Sequence, residues 1–437
     1  MKYYIYGQGT NGLGIADFLD IYCSGIEYIF IDDNIKAHSF EVLYSQITQK
    51  DIVLVASTKH FKKIAAKLEE KGICYTDGVK WCGDFINELI AKIKIERQKS
   101  IKYIGIILTC WENENKFVGI DENLKEMGNE IIYFVFTKAL YDKYKNKGIC
   151  IFAPHSILEE VVNVDLMLTV NGDATSRRVA SINFTHGFQG MSVFPFEEIN
   201  YDLMKETLSK LNYYICSSKR IQSVNQKYLE FYGAETQLLP LGYMPVDNYF
   251  DIYQEYLKNH LVKFDYVLIA FSFPIRISKY KTLIKAIRNA NKKAIICPHP
   301  TYEKSVYDEI KELVDNKNVF SNKSFPNRWE MFAQSCCLIT ECSSVGYTYS
   351  LTTAKPTIIF YENRAIYFDE NLASGYFDDK IHFFCENAES LTKTINGIEG
   401  FIQEYQQRIE KYRKEECFFF GKSKEKILEW ICQFLDK

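Results

Sequence analysis

Two of the seven histidines sit where enzymes usually place chemistry. His186 lies in Thr185-His186-Gly187-Phe188-Gln189-Gly190, directly after the apolar run Ser181–Phe184. His299 lies in Ile295-Ile296-Cys297-Pro298-His299-Pro300, at the exit of another apolar run. In open α/β sheets ligands bind beyond the carboxyl ends of the strands. An imidazole there can take a proton from an attacking hydroxyl, or carry positive charge beside a phosphate. Gly187 lets the chain turn sharply and lets substrate approach. Pro298 and Pro300 fix the backbone on either side of His299. The bland alternatives are a loop histidine with a local hydrogen bond at 186, and a rigid strand-to-helix turn at 299.

A third constellation is Leu338-Ile339-Thr340-Glu341-Cys342-Ser343-Ser344-Val345-Gly346-Tyr347. An apolar strand feeds two serines that open a helix-compatible stretch. Serine hydroxyls cap the orphan N–H groups of a helix start, and the same N–H groups can cradle a phosphate. Such a helix start holds anionic charge without a metal. An ordinary N-cap would also account for a serine here. Glu341 could bond a ribose or fix the serine loop. Arg276 and Lys279 follow the strand Tyr266–Phe271 and could meet donor phosphates, or stand as solvated surface charges. No Asp-x-Asp occurs in residues 101–437, so no obligatory metal or cofactor is expected.

The elements that position these residues are α/β throughout. Lys2–Tyr6 reads as a strand running into Gly7-Gln8-Gly9-Thr10-Asn11-Gly12, followed by a helix over Leu13–Tyr22 and a strand at Tyr28–Ile31 ending in Asp32-Asp33. Strand, glycine turn, helix, strand, acidic residue is a Rossmann pattern, with Gly7, Gly9, Gly12 and Asp32 as candidate nucleotide contacts. A polar stretch, Lys92–Ser100, reads as a helix end and linker. Strands are then expected at Tyr103–Leu108, Glu130–Phe136, Ile149–Phe152, Leu166–Val170, Ser181–Phe184 and Tyr213–Cys216. After a polar helical stretch at Tyr249–Lys263, further strands are expected at Tyr266–Phe271, Ala294–Cys297, Cys337–Thr340 and Thr357–Tyr361, then helix from Ile398. Short apolar runs between helical patterns imply parallel sheets covered on both faces. The expected domains are 1–98, 101–248 and 264–437. The latter two would be doubly wound domains flanking a cleft, with one histidine on each wall.

Composition excludes several classes. The chain has 437 residues, 31 Phe, 31 Tyr and 4 Trp, which is too much apolar surface for a disordered chain. A net charge of −3 draws it neither to nucleic acid nor to anionic lipid. The N-terminal MKYYIYGQG does not read as a signal peptide. None of the thirteen cysteines falls in a C-x-x-C pair, so they read as buried thiols in a reducing cytosol. The expected location is cytoplasmic, with at most peripheral contact at the inner face of the cell membrane, where Phe418-Phe419-Phe420 could dip into an interface. His38, His60, His155, His260 and His382 have no motif around them and read as surface or packing residues.

Taken together, the motifs resemble those of the CDP-glycerol glycerophosphotransferases that build teichoic-acid-type and capsular polymers. The matching residues are Thr185-His186-Gly187, Tyr214-Ile215-Cys216-Ser217-Ser218, Gly242-Tyr243-Met244-Pro245-Val246-Asp247, His299-Pro300 and Thr340-Glu341-Cys342-Ser343-Ser344, then Lys355-Pro356. The resemblance covers roughly residues 103–425. Val246 stands where the family has arginine, Glu341 where it has aspartate, and Thr185 where it has tryptophan. The resemblance implies a GT-B fold and a cytidine-nucleotide donor. It implies a transferase that passes glycerol phosphate, or a related polyol phosphate, to a hydroxyl of a surface polysaccharide or lipid-linked acceptor. His186 would be the base. His299, Pro300, Glu341, Arg276, Ser343 and Ser344 would serve the donor, and Gly187, Gln189 and Asp247 the acceptor. The His-Pro and Ser-Ser pairs also occur in sialyltransferases and Kdo transferases that use CMP-sugars. That leaves an inverting glycosyltransferase as an alternative, beside a nucleotide-sugar 2-epimerase and a non-catalytic nucleotide-binding scaffold. The N-terminal unit resembles the small domain that precedes sugar acetyltransferases. A homo-oligomer is compatible with all these readings.

Overall fold

The structure, a computed structural model, describes residues 1–437 except 98–100, 155, 171–174, 177, 192–200, 301, 342 and 362–376. His155 and Cys342 therefore lie outside the described residues.

The first sheet is built on β1 (Tyr3–Tyr6), β2 (Tyr28–Ile31), β3 (Ile52–Val55) and β4 (Tyr75–Asp77), ordered β2-β1-β3-β4 with parallel pairing. All four residues of β1 are buried, as a central strand flanked on both sides requires. Gly7 leaves β1 at φ +108°, a conformation suited to glycine. The helix then starts at Thr10, three residues before the expected Leu13. Gly12 thus lies in its first turn, where a Cβ would fall 1.8 Å from the Gly7 carbonyl oxygen. Only a residue without a side chain lets this helix approach β1 so closely. The next helix-rich stretch ends in Gly78–Glu96, which takes in the first half of the expected linker.

The second sheet comprises β5 (Tyr103–Leu108), β6 (Glu130–Val135), β7 (Ile149–Phe152), β8 (Leu166–Thr169), β9 (Ser181–Asn183), β10 (Tyr213–Ile215) and β11 (Gln237–Leu239), ordered β11-β10-β9-β8-β5-β6-β7. The third comprises β12 (Tyr266–Ile269), β13 (Lys293–Ile296), β14 (Val319–Ser321), β15 (Ser335–Thr340), β16 (Thr357–Phe360) and β17 (His382–Cys385), ordered β14-β13-β12-β15-β16-β17. This is the doubly wound order, with the direction of winding reversing between β12 and β15. A ligand is expected outside the carboxyl ends of those two strands. By mutual contact the chain forms two compact units. One is Met1–Phe184 with Thr207–Tyr214 and Leu428–Lys437; the other is Thr185–Glu206 with Ile215–Ile427.

The helix Val345–Thr353, which follows β15, anchors the second unit. Gly346, Tyr347, Tyr349 and every residue from Ser350 to Thr353 are buried. A helix buried on this scale has neighbours all round, so its ends must be satisfied internally. Arg413 meets that need at the C-terminal end, donating to the Leu351 carbonyl at 3.0 and 2.7 Å. Lys355, just beyond, is buried, and its Nζ donates to the carbonyls of Phe332, Ala333 and Ser335 at 2.5, 3.0 and 2.6 Å. Burial pulls the Lys355 pKa down to about 7. Three carbonyls nevertheless match the three protons of the ammonium, so this geometry holds the charged form.

His382 opens β17 and is buried, a packing residue of the two kinds expected. Its Nδ1 accepts the Asp378 backbone N–H at 3.0 Å, which puts the proton on Nε2. The ring meets Tyr347 edge-on, with centroids 4.7 Å apart. Burial, and then the Arg220 charge, pull its pKa down to about 3. No helix among the described residues is long and apolar enough to cross a membrane. The twelve described cysteines are free thiols.

Two stability outcomes follow. Lys355→Met removes the donor shared by the Phe332, Ala333 and Ser335 carbonyls, of which the first two keep a second donor in the Ser335 hydroxyl and the Lys263 N–H, and should cost on the order of 2 kcal/mol in urea denaturation; a loss near zero would show that the ammonium is not the clamp. Below about pH 6.5 the unfolded chain protonates His382 while the fold refuses the proton until about pH 3. Stability is therefore lost as pH falls through that window, by about 2 kcal/mol at pH 5 from this group. His382→Asn, which keeps an acceptor for the Asp378 N–H, should flatten the stability curve between pH 7 and 4. Parallel curves for the two proteins would refute this.

Candidate active site

The Thr185–Gly190 turn follows β9 with one residue exposed, His186, between buried Thr185 and buried Gly187. Its backbone is held at several points. Tyr243 donates its hydroxyl to the His186 carbonyl at 3.2 Å. Ser217 donates to the Phe188 carbonyl at 2.6 Å. The Phe188 ring stacks on Tyr347, with centroids 4.8 Å apart and planes 23° apart. The imidazole thus projects from a turn whose own atoms are immobilised, as pre-organised chemistry needs.

Gly187 explains why the turn can sit there. A Cβ at this position would lie 2.6 Å from the Ser344 Cβ and 2.5 Å from the Gln189 side-chain oxygen. The His-Gly turn and the Ser-Ser helix start are therefore in direct contact, within one compact unit. By contact the His186 turn groups with the unit that holds His299 and Ser343. Gly187 and Gln189 stand at this contact, and Gln189 is buried.

Ser343 is at the winding reversal, and Ser272, just after β12, donates its hydroxyl to the Ser343 hydroxyl at 2.8 Å. Ser343 Oγ also accepts the Val345 N–H at 3.4 Å. Ser344 is the N-cap residue but has helical backbone angles and makes no side-chain capping bond. The paired serines thus divide the work differently from the expected double cap. Ser343 spans β12 and the helix start, while the Ser344 carbonyl accepts from Thr348.

His299 is half-buried after β13. Its carbonyl accepts the Tyr307 hydroxyl at 2.8 Å and the Tyr302 N–H at 3.1 Å. The Tyr302 hydroxyl reaches the Phe271 and Phe273 carbonyls at 2.8 and 2.7 Å. Tyr307 therefore holds the His299 peptide and Tyr302 ties it to the exit of β12, work that the flanking prolines alone were expected to do. Pro300 is exposed.

Glu341 pairs with Lys279 at 3.9 Å, and Lys279 lies 5.7 Å from the Phe271 and Phe360 ring centroids and 5.5 Å from that of Tyr361. Arg276 is exposed at the start of the helix Ile277–Asn289 and forms no ion pair among the described residues. Of the two cations named from sequence, Lys279 is the one drawn to the serine strand. Asp247 is buried, its carboxylate accepts the Ser423 N–H at 2.9 Å, and burial raises its pKa. The structure therefore engages Asp247 in holding the turn at Ser423. In the first unit Gln8 donates its N–H to Asp32 at 3.4 Å and Asn34 donates at 2.9 Å, so the acidic residue faces the glycine turn. Sequence reasoning missed Ser272 and Tyr302, and it placed Tyr243 in a motif without seeing that its hydroxyl holds the His186 turn. Ser272 had a signal, a hydroxyl one residue past an apolar strand; Tyr302 had none among 31 tyrosines.

No protein-family model matches the chain, and no curated protein does. Solved structures do match. A variant of the wall teichoic acid polymerase TagF soaked with CDPG aligns with a TM-score of 0.54 at 14% identity, over 87% of this chain and 98% of that one. UGT89C1 of Arabidopsis thaliana complexed with UDP gives 0.51 at 10% identity, over 76% and 100%. The UDP-GlcNAc 2-epimerase of Neisseria meningitidis bound to UDP-GlcNAc gives 0.50 at 12%, over 77% and 99%. What the chain shares with all three at such identities is architecture, and with its parallel, doubly wound sheets it is an α/β protein of the GT-B type.

Proposed function

We propose that this protein is a transferase that moves glycerol phosphate, or a related polyol phosphate, from a CDP-activated donor to a hydroxyl of a surface polysaccharide or teichoic-acid-like acceptor. The observation that carries the reading is the Gly187–Ser344 contact, which sets an exposed imidazole against a phosphate-compatible helix start. The likeness to TagF in a CDPG soak supports the choice of donor.

In this reading the acceptor oxygen attacks the phosphorus that bears glycerol. Its proton passes to His186, the new P–O bond forms, and the P–O bond to cytidine monophosphate breaks. The leaving group takes the electron pair of that bond. His299, the Ser343 hydroxyl and the N-terminal N–H groups of the helix Val345–Thr353 stabilise the charge that gathers there. Lys279, steadied by Glu341, adds a cation on the same strand exits. Arg276 stays a candidate contact only if the donor reaches the helix start at Ile277. In this reading His186, His299, Lys279 and the helix start carry the charge chemistry and no resident cofactor or metal is invoked. The proposed location is cytoplasmic, where activated nucleotides are made, with peripheral access to a lipid-linked acceptor.

Two measurements test this. His186→Ala should lower turnover of CDP-glycerol with acceptor by about 10²–10⁴-fold and leave CDP binding intact, whereas His299→Ala should weaken both. Near-normal turnover in His186→Ala would remove it as the base. In a thermal-shift panel CDP should stabilise the protein more than UDP. A preference for UDP would overturn the cytidine donor, and stabilisation by CMP above CDP would favour a CMP-sugar transferase.

A further inference from the structure

A cavity of about 730 Å³ lies in the second unit where the helix Ala388–Glu415 ends. Its size suits a small-molecule ligand. Its walls are aromatic, made by Phe250, Phe418, Phe419 and Phe420. Arg413 covers the floor, stacked 4.5 Å from the Phe250 centroid and 5.3 Å from that of Phe420, with its guanidinium committed to the Leu351 carbonyl. At the mouth stand Lys219 and Lys414, both exposed and neither in an ion pair among the described residues. The acidic lining is already engaged: Glu415 pairs with Lys411 at 3.8 Å, and Glu410 faces the Arg413 charge. The net field at the entrance is therefore that of two uncompensated lysines.

The turn that builds the wall is held under constraint. Phe419 has φ +46° and is 47% exposed, a costly backbone and a costly exposure for a bulky aromatic residue. The turn is pinned in place from both sides. Phe418 donates its N–H to the Ser217 carbonyl at 3.0 Å, and Lys219 donates its N–H to the Glu416 carbonyl at 3.0 Å. Gly242 lies so close that a Cβ there would meet the Phe418 carbonyl at 2.4 Å. A pinned aromatic wall beneath a cationic rim is complementary to one kind of molecule.

We propose that this cavity binds an anionic amphiphile, its apolar part among the phenylalanines and its phosphate between Lys219 and Lys414. The occupant is a single molecule with the chemistry of a lipid phosphate, and the site is separate from the proposed transfer chemistry. The probe is dihexanoyl phosphatidic acid below its micelle concentration, titrated into the full chain by calorimetry. Saturable one-site binding is expected, with inorganic phosphate alone and uncharged dihexanoylglycerol each at least about tenfold weaker. The double charge reversal Lys219→Glu with Lys414→Glu should weaken binding at least about tenfold, and Phe419→Gly, which frees the positive φ of this position, should weaken it while thermal stability holds or rises. Wild-type protein that binds none of the soluble phosphate, or charge-reversed protein that binds it equally well, overturns the proposal. So does co-sedimentation with phosphatidylglycerol vesicles in the absence of soluble binding, because that would be attraction to a surface and not to this cavity.

Discussion

The site depends on an atom that is missing. Without a Cβ at Gly187, the His186 turn comes to rest on Ser344; with one, the two would collide at 2.6 Å. Packed interiors do not yield by an ångström at low cost, so a side chain there would lift the turn from the helix start. The other restraints act only once this approach is made. The Phe188–Tyr347 stack, the Ser217 bond to Phe188 and the Tyr243 bond to His186 all assume a turn lying against this helix.

The helix Val345–Thr353 is the anvil for that contact. Its interior position leaves no water to satisfy it, and side chains from distant segments do so instead. Arg413 covers the C-terminal carbonyls. Ser350 donates to the Lys355 carbonyl, and Tyr405 bonds Ser350. His382, neutral and buried, packs its ring against Tyr347. These bonds from distant segments fix the helix in place, and with it the orientation of its N-terminus. The N-terminal sheet applies the same device on a smaller scale, where Gly12 brings its helix against Gly7 and Asp32 faces the glycine turn.

Long central strands could be read from the residues because each is an apolar run buried on both faces. β5 and β15, six residues each, declare themselves in this way. Edge and short strands could not. β4, β11 and β14 are three residues long and carry Thr76, Gln237 and Ser321, too short and too polar for periodicity to register. β17 escaped for another reason: His382 opens it, and a histidine reads as polar until burial strips its charge. The polar helix expected at Tyr249–Lys263 starts instead at Met244, because Pro245 suits a first turn and Asp247 is bonded by a distant segment.

Residue types and spacing were enough to determine the parallel α/β class, the strand exits that carry His186, His299 and Ser343-Ser344, and the glycines that must stay glycines. These are local properties: a strand's burial and a turn's φ are set by a few adjacent residues. Tertiary structure alone decided which exits meet. It put His186 in the unit of Ser344, drew Lys279 and not Arg276 to Glu341, and supplied Ser272 and Tyr302 as supports. Those pairings join residues up to 158 positions apart, as Gly187 and Ser344 nearly are at 157. Their geometry is set by sheet order and helix packing, which no local pattern encodes.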